Sequence, residues 1–209
     1  MNKAGEILFL IDDDESVRSS LTLFLQLLDY KVESFESAEE FLQRPIHEGT
    51  GCIILDVNLS GKSGLELQEE LISRSSHLPI IFITGYANIR ISVHALKNGA
   101  VNYLEKPFEE DEILHSVAEA VALSHKILAE NEVFQKARQL IQKLTPKEYE
   151  VLTYLITGLL NKQIADKLNI VEHTVKIHKR SICEKFGVKS VPEIIHIAYQ
   201  AGLFSPDKT

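Results

Sequence analysis

With 209 residues, of which 44% are hydrophobic, the chain is long enough for one or two globular domains. No apolar run approaches the roughly 18 residues of a membrane span, and no signal-peptide segment precedes the first predicted strand, so we expect neither a membrane nor a secreted protein. Two cysteines, Cys52 and Cys183, are too few for a disulfide framework and predict reduced thiols in the cytoplasm.

The net charge of −8 is unevenly distributed. Residues 1–128 carry 10 Lys and Arg against 21 Asp and Glu, a balance of −11, whereas residues 129–209 carry 12 against 9, a balance of +3. An acidic first part and a mildly basic second part predict two domains with different partners. The eight histidines show no zinc-ligand spacing with the cysteines, so no zinc site is expected.

Strand-length apolar runs alternate with helical periodicity through the first half of the chain. The predicted strands are residues 6–11, 31–35, 52–55, 79–84 and 101–105, and the predicted helices are residues 16–28, 38–43, 65–73 and 88–98. Five strand–helix units of this size predict an α/β fold, a doubly wound five-stranded parallel sheet with helices on both faces.

Carboxylates follow two of the buried strands. Asp12, Asp13, Asp14 and Glu15 come directly after the first strand, and Asp56 closes the third. By itself Asp56 is more typical of a solvated residue that opens a turn. Parallel strands, however, gather chemistry at their carboxyl ends, so the two carboxylate-bearing strand ends together predict one acidic pocket. Such an all-oxygen site suits Mg²⁺, which takes one or two protein carboxylates and keeps several waters.

A hydroxyl and an ammonium group are predicted at the same edge. Thr84 ends the fourth strand and Lys106 follows the fifth. Either residue alone fits a strand-end threonine or a solvent-facing lysine, but their joint occurrence beside Asp56 favours chemistry. A carboxylate among metal-binding acids, a cation and a hydroxyl can attack a phosphoryl donor, with Mg²⁺ neutralising the transferred oxygens. Lys106 and Thr84 would then bind the acyl phosphate.

A long helix is predicted between the two halves, because residues 110–143 contain no Gly or Pro. If unbroken it would span about 50 Å. Its first half should cover the sheet, and its second half carries an alternating four–three spacing, at Leu123, Ile127, Glu130, Phe134, Ala137, Ile141 and Leu144. That spacing suits a dimer seam. A linker helix resting on its own domain is equally consistent, because Glu130 interrupts the seam.

The second half predicts four short helices. Thr145 at the cap, Pro146 at the first helical position and Glu148 three residues after the cap mark the first start. This helix ends near Gly158, and the others span residues 161–168, 172–186 and 192–201. Two short helices joined by a few residues in a basic domain are typical of a helix-turn-helix.

The third of these helices separates an apolar side from a cationic one. Val175, Ile182 and Phe186 share the apolar side, and the opposite side carries His173, Lys176, Ile177 and Arg180. Cations there can meet phosphates or guanine edges, and Ile177 can contact a thymine methyl group. A solvated face would explain a lone lysine, and His178 suits either packing or a phosphate contact.

Residues 6–120 resemble a bacterial two-component receiver domain in four motifs, Ile11-Asp12-Asp13-Asp14, Leu55-Asp56, Ile83-Thr84-Gly85 and Glu105-Lys106-Pro107-Phe108. The resemblance implies that a sensor histidine kinase phosphorylates Asp56. It also implies Mg²⁺ ligation by Asp13, Asp56 and the Asn58 carbonyl, with Asp12 held through water. Thr84 and Tyr103 would move together on phosphorylation, and the Lys106–Pro107 bond would be cis. Leu59-Ser60 replaces the common Met-Pro, which leaves the rigidity of this loop and the lifetime of the acyl phosphate open.

The second half resembles the LuxR-type helix-turn-helix, on Leu144-Thr145-Pro146-Lys147-Glu148, Gly158, Asn161-Lys162-Gln163-Ile164-Ala165, Leu168, Thr174-Val175-Lys176 and His178. The whole chain is thus similar to response regulators of the FixJ/NarL family. Within that family its sequence most resembles the FixJ and StyR group. The resemblance implies base contacts from Lys176, Ile177 and Arg180, with Lys179 among the DNA-binding residues, and backbone contacts from Thr174 and Lys162. Val171 replaces the usual Ser or Thr cap of the recognition helix.

The sequence therefore predicts a phosphorylation-switched transcription regulator with a receiver domain (1–122), a linker helix (123–143) and a DNA-binding domain (144–209). Its expected partners are a sensor histidine kinase, promoter DNA, RNA polymerase and, on phosphorylation, a second copy. An aspartyl-phosphate hydrolase is the alternative, but such enzymes carry a second Asp two residues after the nucleophile, where this chain has Asn58. A constitutive DNA-binding protein is disfavoured by the complete acidic set.

Overall fold

The structure, a computed structural model, describes residues 5–86 and 88–203. The chain divides into two compact units, Met1–Leu128 and Ala129–Thr209. Their boundary lies inside the segment that the sequence predicts as a linker helix. Within the described ranges, no helix is both long enough and apolar enough to cross a bilayer.

Five parallel strands form one sheet in the order β2-β1-β3-β4-β5. The strands are β1 (Ile7–Ile11), β2 (Lys31–Phe35), β3 (Gly51–Asp56), β4 (Ile80–Thr84) and β5 (Asn102–Glu105). The helices are α1 (Glu15–Leu27), α2 (Ala38–Gln43), α3 (Gly64–Ser73), α4 (Ile89–Lys97) and α5 (Glu110–Gln142). The predicted doubly wound sheet is confirmed, and its element boundaries lie within one residue of the predicted ones.

The central strands are buried on both faces because alternate side chains enter two different cores. Phe9 and Ile53 belong to the core covered by α2, α3 and α4, whereas Leu8 and Ile54 belong to the core covered by α1 and α5. Side chains alternate between the faces of a strand, so a strand covered on both sides needs a continuous apolar run. That physical requirement is why β1, β3 and β4 were recognisable in the sequence.

Helix α5 is continuous, and both of its parts pack within their own units. Near its start, Ile113 and Val117 are buried against the sheet. Further along, Ala137 is buried, and Ile141 packs against the core of the second unit together with Leu144, which follows the helix. Ile141 and Leu144, two positions of the spacing that suggested a dimer seam, are therefore used inside the second unit, which favours the linker-helix interpretation for them.

The second unit consists of the end of α5 and four helices around one core. These are α6 (Pro146–Ile156), α7 (Asn161–Leu168), α8 (Glu172–Phe186) and α9 (Val191–Gln200). Val175, Ile182 and Phe186 of α8 are buried in this core, as their spacing predicted. Asn169, with a φ of 53°, ends α7 in the left-handed conformation and turns the chain into α8. This is the geometry of a helix-turn-helix.

Glu148 anchors α8 to the start of α6. Its carboxylate completes the capping box with Thr145 and accepts hydrogen bonds from the Ser181 hydroxyl at 2.6 Å and the Lys185 ammonium at 2.5 Å. Burial by itself raises the pKa of Glu148. The hydrogen bonds from Lys185, Ser181 and Thr145 outweigh burial and lower the pKa from 4.5 to about 2. The helix that presents the predicted DNA-contacting residues is thus held by a buried ion pair.

We predict that Glu148→Gln lowers the free energy of unfolding by about 3 kcal/mol at neutral pH, because it leaves the Lys185 ammonium without its counter-charge. The folded-state pKa lies below the ordinary one, so this contribution is complete above pH 4.5 and is lost as the pH falls towards 2. Urea unfolding of the variant and of wild type, followed by circular dichroism at several pH values, measures the difference.

Glu150→Gln is the matched control, because the Glu150 carboxylate pairs with Lys147 where both side chains are exposed. Loss of this exposed Glu150–Lys147 pair should change the free energy of unfolding by less than about 1 kcal/mol. A deficit in Glu148→Gln that stays constant from neutral pH to pH 2 would contradict the ionic role of Glu148.

Candidate functional site

The carboxyl ends of four strands meet at one edge of the sheet. Ile11 pairs with Leu55, Asp56 with Ile83, and Thr84 with Glu105. The residues at or just beyond these ends are consecutive neighbours along the edge, and they are Asp12, Asp56, Thr84 and Lys106. The parallel register is therefore what assembles these predicted site residues.

Three carboxylates form one cluster at this edge. One oxygen each from Asp12, Asp13 and Asp56 lies within 4.8 Å of the others. Asp12 and Asp56 are buried, and Asp13 is exposed. The cluster faces solvent through Asp13, which gives an ion a route to the two buried acids.

Lys106 bridges the two buried acids. Its ammonium donates to Asp12 Oδ2 at 2.6 Å and to Asp56 Oδ2 at 2.9 Å. Burial raises the pKa of Asp12 above its usual value, although the hydrogen bond and charge of Lys106 oppose that effect. Burial also lowers the pKa of Lys106, but its two acidic partners more than reverse this and raise it. One cation therefore serves two of the three carboxylates in the cluster.

Backbone amides complete the hydrogen bonding of the buried pair. The Asp14 N–H donates to Asp12 Oδ1 at 3.0 Å, and the Asn58 N–H donates to Asp56 Oδ1 at 3.1 Å. Gly64 opens α3 so close to the Asp56 backbone that an added Cβ would lie 2.2 Å from the Asp56 carbonyl oxygen. The loop after Asp56 can fold back in this way only with glycine there.

Thr84 and Tyr103 occupy neighbouring strands but separate surroundings. Thr84 is fully buried, and its hydroxyl oxygen accepts from the Asn58 side-chain amide at 3.3 Å and from the Tyr86 N–H at 3.2 Å. The Tyr103 ring packs on Phe82 with 6.4 Å between centroids, and its buried hydroxyl has no hydrogen-bond partner among the described residues. The Lys106–Pro107 bond is cis, as predicted.

Two residues at this edge were not assigned a site role from the sequence. Arg18 of α1 donates from Nη1 to the Asp12 carbonyl oxygen at 2.6 Å. Ser60 donates to Asp13 Oδ2 from its N–H at 3.1 Å and from its hydroxyl at 2.6 Å. A lone arginine on a helix gives no sequence signal. Ser60 did give one, because Leu59-Ser60 stands where the receiver family commonly has Met-Pro.

The predicted DNA-contacting residues lie on or beside α8. Lys176, Ile177 and Arg180 are exposed, and more than half of the Ile177 side chain is open to solvent. Lys176 pairs with Glu172 at 3.1 Å, and Arg180 pairs with Glu184 at 2.9 Å, so each cation has an acid one turn away on its own helix. The predicted loss of a side-chain cap at Val171 is confirmed.

The remaining predicted contacts are more varied in their surroundings. Lys162 at the start of α7 is exposed, and Thr174 is half-buried. Lys179 is also half-buried, and its ammonium donates to the Asn161 side chain at 2.9 Å. Lys179 thus links the two helices of the helix-turn-helix in the structure.

Both halves of the chain are similar to known families. Residues 8–118 match the family described as "Response regulator receiver domain", and residues 142–198 match "Bacterial regulatory proteins, luxR family". Nodulation protein W of Bradyrhizobium diazoefficiens is 38% identical over 197 residues, which cover 94% of this chain and 87% of that protein. The similarity therefore extends across both units.

Two solved structures are similar over nearly their whole length. The response regulator StyR is 39% identical, with a TM-score of 0.81, and the match covers 94% of this chain and all of that one. Full-length FixJ from B. japonicum is 31% identical, with a TM-score of 0.58, and the match covers 98% of this chain and all of that one. Both matches therefore run across both units of this chain.

Proposed function

The chain belongs to the response regulators that combine a receiver domain with a LuxR-type DNA-binding domain, and we propose that Asp56 is the residue that accepts the phosphoryl group from a sensor histidine kinase. The observation that carries the proposal is the Lys106 ammonium, within 2.6 Å of Asp12 and 2.9 Å of Asp56. It places a cation beside the Asp56 oxygen that would attack.

The residues present fit Mg²⁺. The donors are all oxygen, and three carboxylates against one ammonium leave the charge that a divalent cation would balance. Asp13, Asp56 and the Asn58 carbonyl would hold the ion directly, and Asp12 would hold it through water. When bound, the ion would neutralise the oxygens of the transferred phosphoryl group.

The protein's own groups would perform the remaining steps. An Asp56 carboxylate oxygen attacks the phosphorus of a phosphohistidine, and the phosphorus–nitrogen bond breaks as the new phosphorus–oxygen bond forms. Lys106 then pairs with the acyl phosphate instead of with Asp56. Thr84 exchanges its Asn58 and Tyr86 partners for a phosphoryl oxygen, and Tyr103 repacks with it. These two residues would carry the signal from the pocket to the surface.

A regulatory role is favoured over that of an aspartyl-phosphate hydrolase. The hydrolase needs a second carboxyl group two residues after the nucleophile to move protons. This chain has the Asn58 amide there, and its nitrogen is engaged with Thr84 at 3.3 Å. We therefore propose that the acyl phosphate serves as a signal and not as a catalytic intermediate.

We predict that Asp56→Asn and Asp13→Ala both abolish labelling by a small phosphodonor such as acetyl phosphate in the presence of Mg²⁺. The first variant lacks the nucleophile, and the second lacks a direct metal ligand on the exposed side of the site. Intact-mass spectrometry of the full-length protein measures the labelling.

Asp111→Ala removes a carboxylate that lies on the first turn of α5, outside the cluster, and should be labelled like wild type. Labelling of Asp13→Ala at the wild-type rate in Mg²⁺ would show that the metal assignment is wrong.

The second unit is proposed to read promoter DNA through α8. Lys176, Ile177 and Arg180 would contact base edges, with Lys162, Thr174 and Lys179 near the backbone. The partners of Lys176 and Arg180 are exposed acids, and exposed ion pairs contribute less than about 1 kcal/mol. Lys176 and Arg180 can therefore leave these acids and bind DNA instead at a small energetic cost.

Lys176→Ala and Arg180→Ala should each relax sequence preference and weaken specific binding by about 1–3 kcal/mol, because each would remove a base contact. Lys162→Ala should weaken all sequences alike and flatten the salt dependence. Titration of the full-length protein on specific and random duplexes at several salt concentrations distinguishes these outcomes.

Lys136→Ala is the control, since Lys136 lies on α5, away from α8 in the sequence, and pairs with the exposed Glu132 on the same helix. If all three test variants lost the same affinity on specific and random DNA, α8 would be a phosphate clamp and not a reading helix.

Dimerisation is the proposed link between phosphorylation and DNA binding. Residues 1–128 already carry a balance of −11, so additional phosphoryl charge cannot attract DNA. A changed surface must be responsible, and α4, which follows Thr84 in the chain, exposes Ile89, Val93 and Leu96. Pairing two receivers there would hold two reading helices at a fixed spacing.

We propose that this DNA-bound dimer contacts RNA polymerase in the cytoplasm.

Phosphorylation should shift the full-length protein from monomer towards dimer and raise affinity for paired half-sites by about 10²–10⁴, with no change on a single half-site. Light scattering with and without phosphodonor, together with titration of both DNA types, measures the two effects. Asp56→Asn is the unphosphorylated control. An equal gain on single half-sites would mean that phosphorylation uncovers the helix, and would exclude the dimer mechanism.

A further inference from the structure

The Asp13 carboxylate is oriented by different groups from those that orient Asp12 and Asp56. Asp12 and Asp56 share the Lys106 ammonium, but no cation within residues 5–86 and 88–203 forms an ion pair with Asp13. Its Oδ2 instead accepts the Ser60 N–H at 3.1 Å and the Ser60 hydroxyl at 2.6 Å. The conformation of this exposed carboxylate is therefore set by one residue from the loop after β3.

Both hydrogen bonds end on the same oxygen of Asp13. Oδ2 takes the two Ser60 donors, and Oδ1 is left for another partner. A free aspartate on the surface samples several rotamers, and fixing one of them on binding costs conformational entropy. A carboxylate that is already oriented avoids most of that cost, and its ligand binds more tightly.

Ser60 is itself held in place by the loop around it. On one side, the Gly64 N–H donates to the Val57 carbonyl oxygen at 3.0 Å. On the other, the Lys62 N–H donates to Glu39 Oε1 at 3.0 Å. These contacts anchor the loop to the start of α3 and to α2, so the two donors of Ser60 have a fixed direction.

We propose that Ser60 is a positioning residue for the divalent cation, which acts by fixing the carboxylate of Asp13. The inference rests on the proposed function, because it takes Asp13 as a direct metal ligand. Serine supplies two donors at position 60, alanine keeps only the backbone N–H, and proline supplies neither. Groups that orient a metal ligand in this way commonly change metal affinity by about 10- to 100-fold, and an exposed site should lie at the lower end.

The test is an NMR titration of the ¹⁵N-labelled full-length protein with MgCl₂, in which amide shifts around the cluster give the dissociation constant. Ser60→Ala should raise it by about threefold and Ser60→Pro by about tenfold, whereas Ser60→Thr, which keeps both donors, should stay within about twofold of wild type. Ser73→Ala is the matched control, because the exposed Ser73 hydroxyl donates to the Glu70 carbonyl oxygen within its own helix α3.

Urea unfolding in EDTA separates positioning from general stability. Ser60→Ala should match wild type there, and should gain slightly less stability than wild type when Mg²⁺ is added. If wild type binds Mg²⁺, Asp13→Ala does not, and both Ser60→Ala and Ser60→Pro bind as tightly as wild type, the positioning role is overturned while the metal site stands. Tighter binding by Ser60→Ala would also overturn it, since the hydroxyl would then compete with the ion. No Mg²⁺-dependent shift in wild type would instead refute the metal site of the proposed function.

Discussion

The receiver pocket depends on one ammonium group that two buried carboxylates share. Asp12 and Asp56 come from different strands, and each would be costly to ionise away from water without a counter-charge. Lys106 lies 2.6 Å from one and 2.9 Å from the other, and it reaches both because it follows the edge strand of the same parallel sheet. The burial that raises the pKa of Asp12 and the charge that opposes it are thus set by the same arrangement of strand ends.

The second unit also contains a buried ion pair, but there one cation balances one acid. Glu148 pairs with one cation, Lys185, and also accepts hydrogen bonds from Ser181 and Thr145, which together lower its pKa to about 2. With one cation for one acid, this pair carries no excess charge for a metal ion to balance. The pocket in the first unit has more acids than bases. The difference between a balanced and an unbalanced cluster is what separates a structural ion pair from a candidate reactive site.

The cations of α8 represent a third case. Lys176 and Arg180 are paired with exposed acids on their own helix, where solvent screens the charges. The pairing keeps α8 nearly neutral locally and can be exchanged at little cost. Lys179, by contrast, is half-buried and bound to Asn161, so its main contribution in the structure is to hold α7 and α8 together.

The sequence by itself determined the two architectures and the residues at the strand ends. Buried parallel strands require continuous apolar runs, and whatever follows such a run must lie at the sheet edge, so Asp12, Asp56, Thr84 and Lys106 could be placed together in advance. The tertiary structure decided which donor each acid receives. Ser60 lies 47 positions from Asp13, and Lys185 lies 37 from Glu148. It also decided that Ile141 and Leu144 pack within their own unit. Periodicity specifies which side of an element is apolar, but a contact between distant residues depends on loop paths and packing distances that no local pattern encodes.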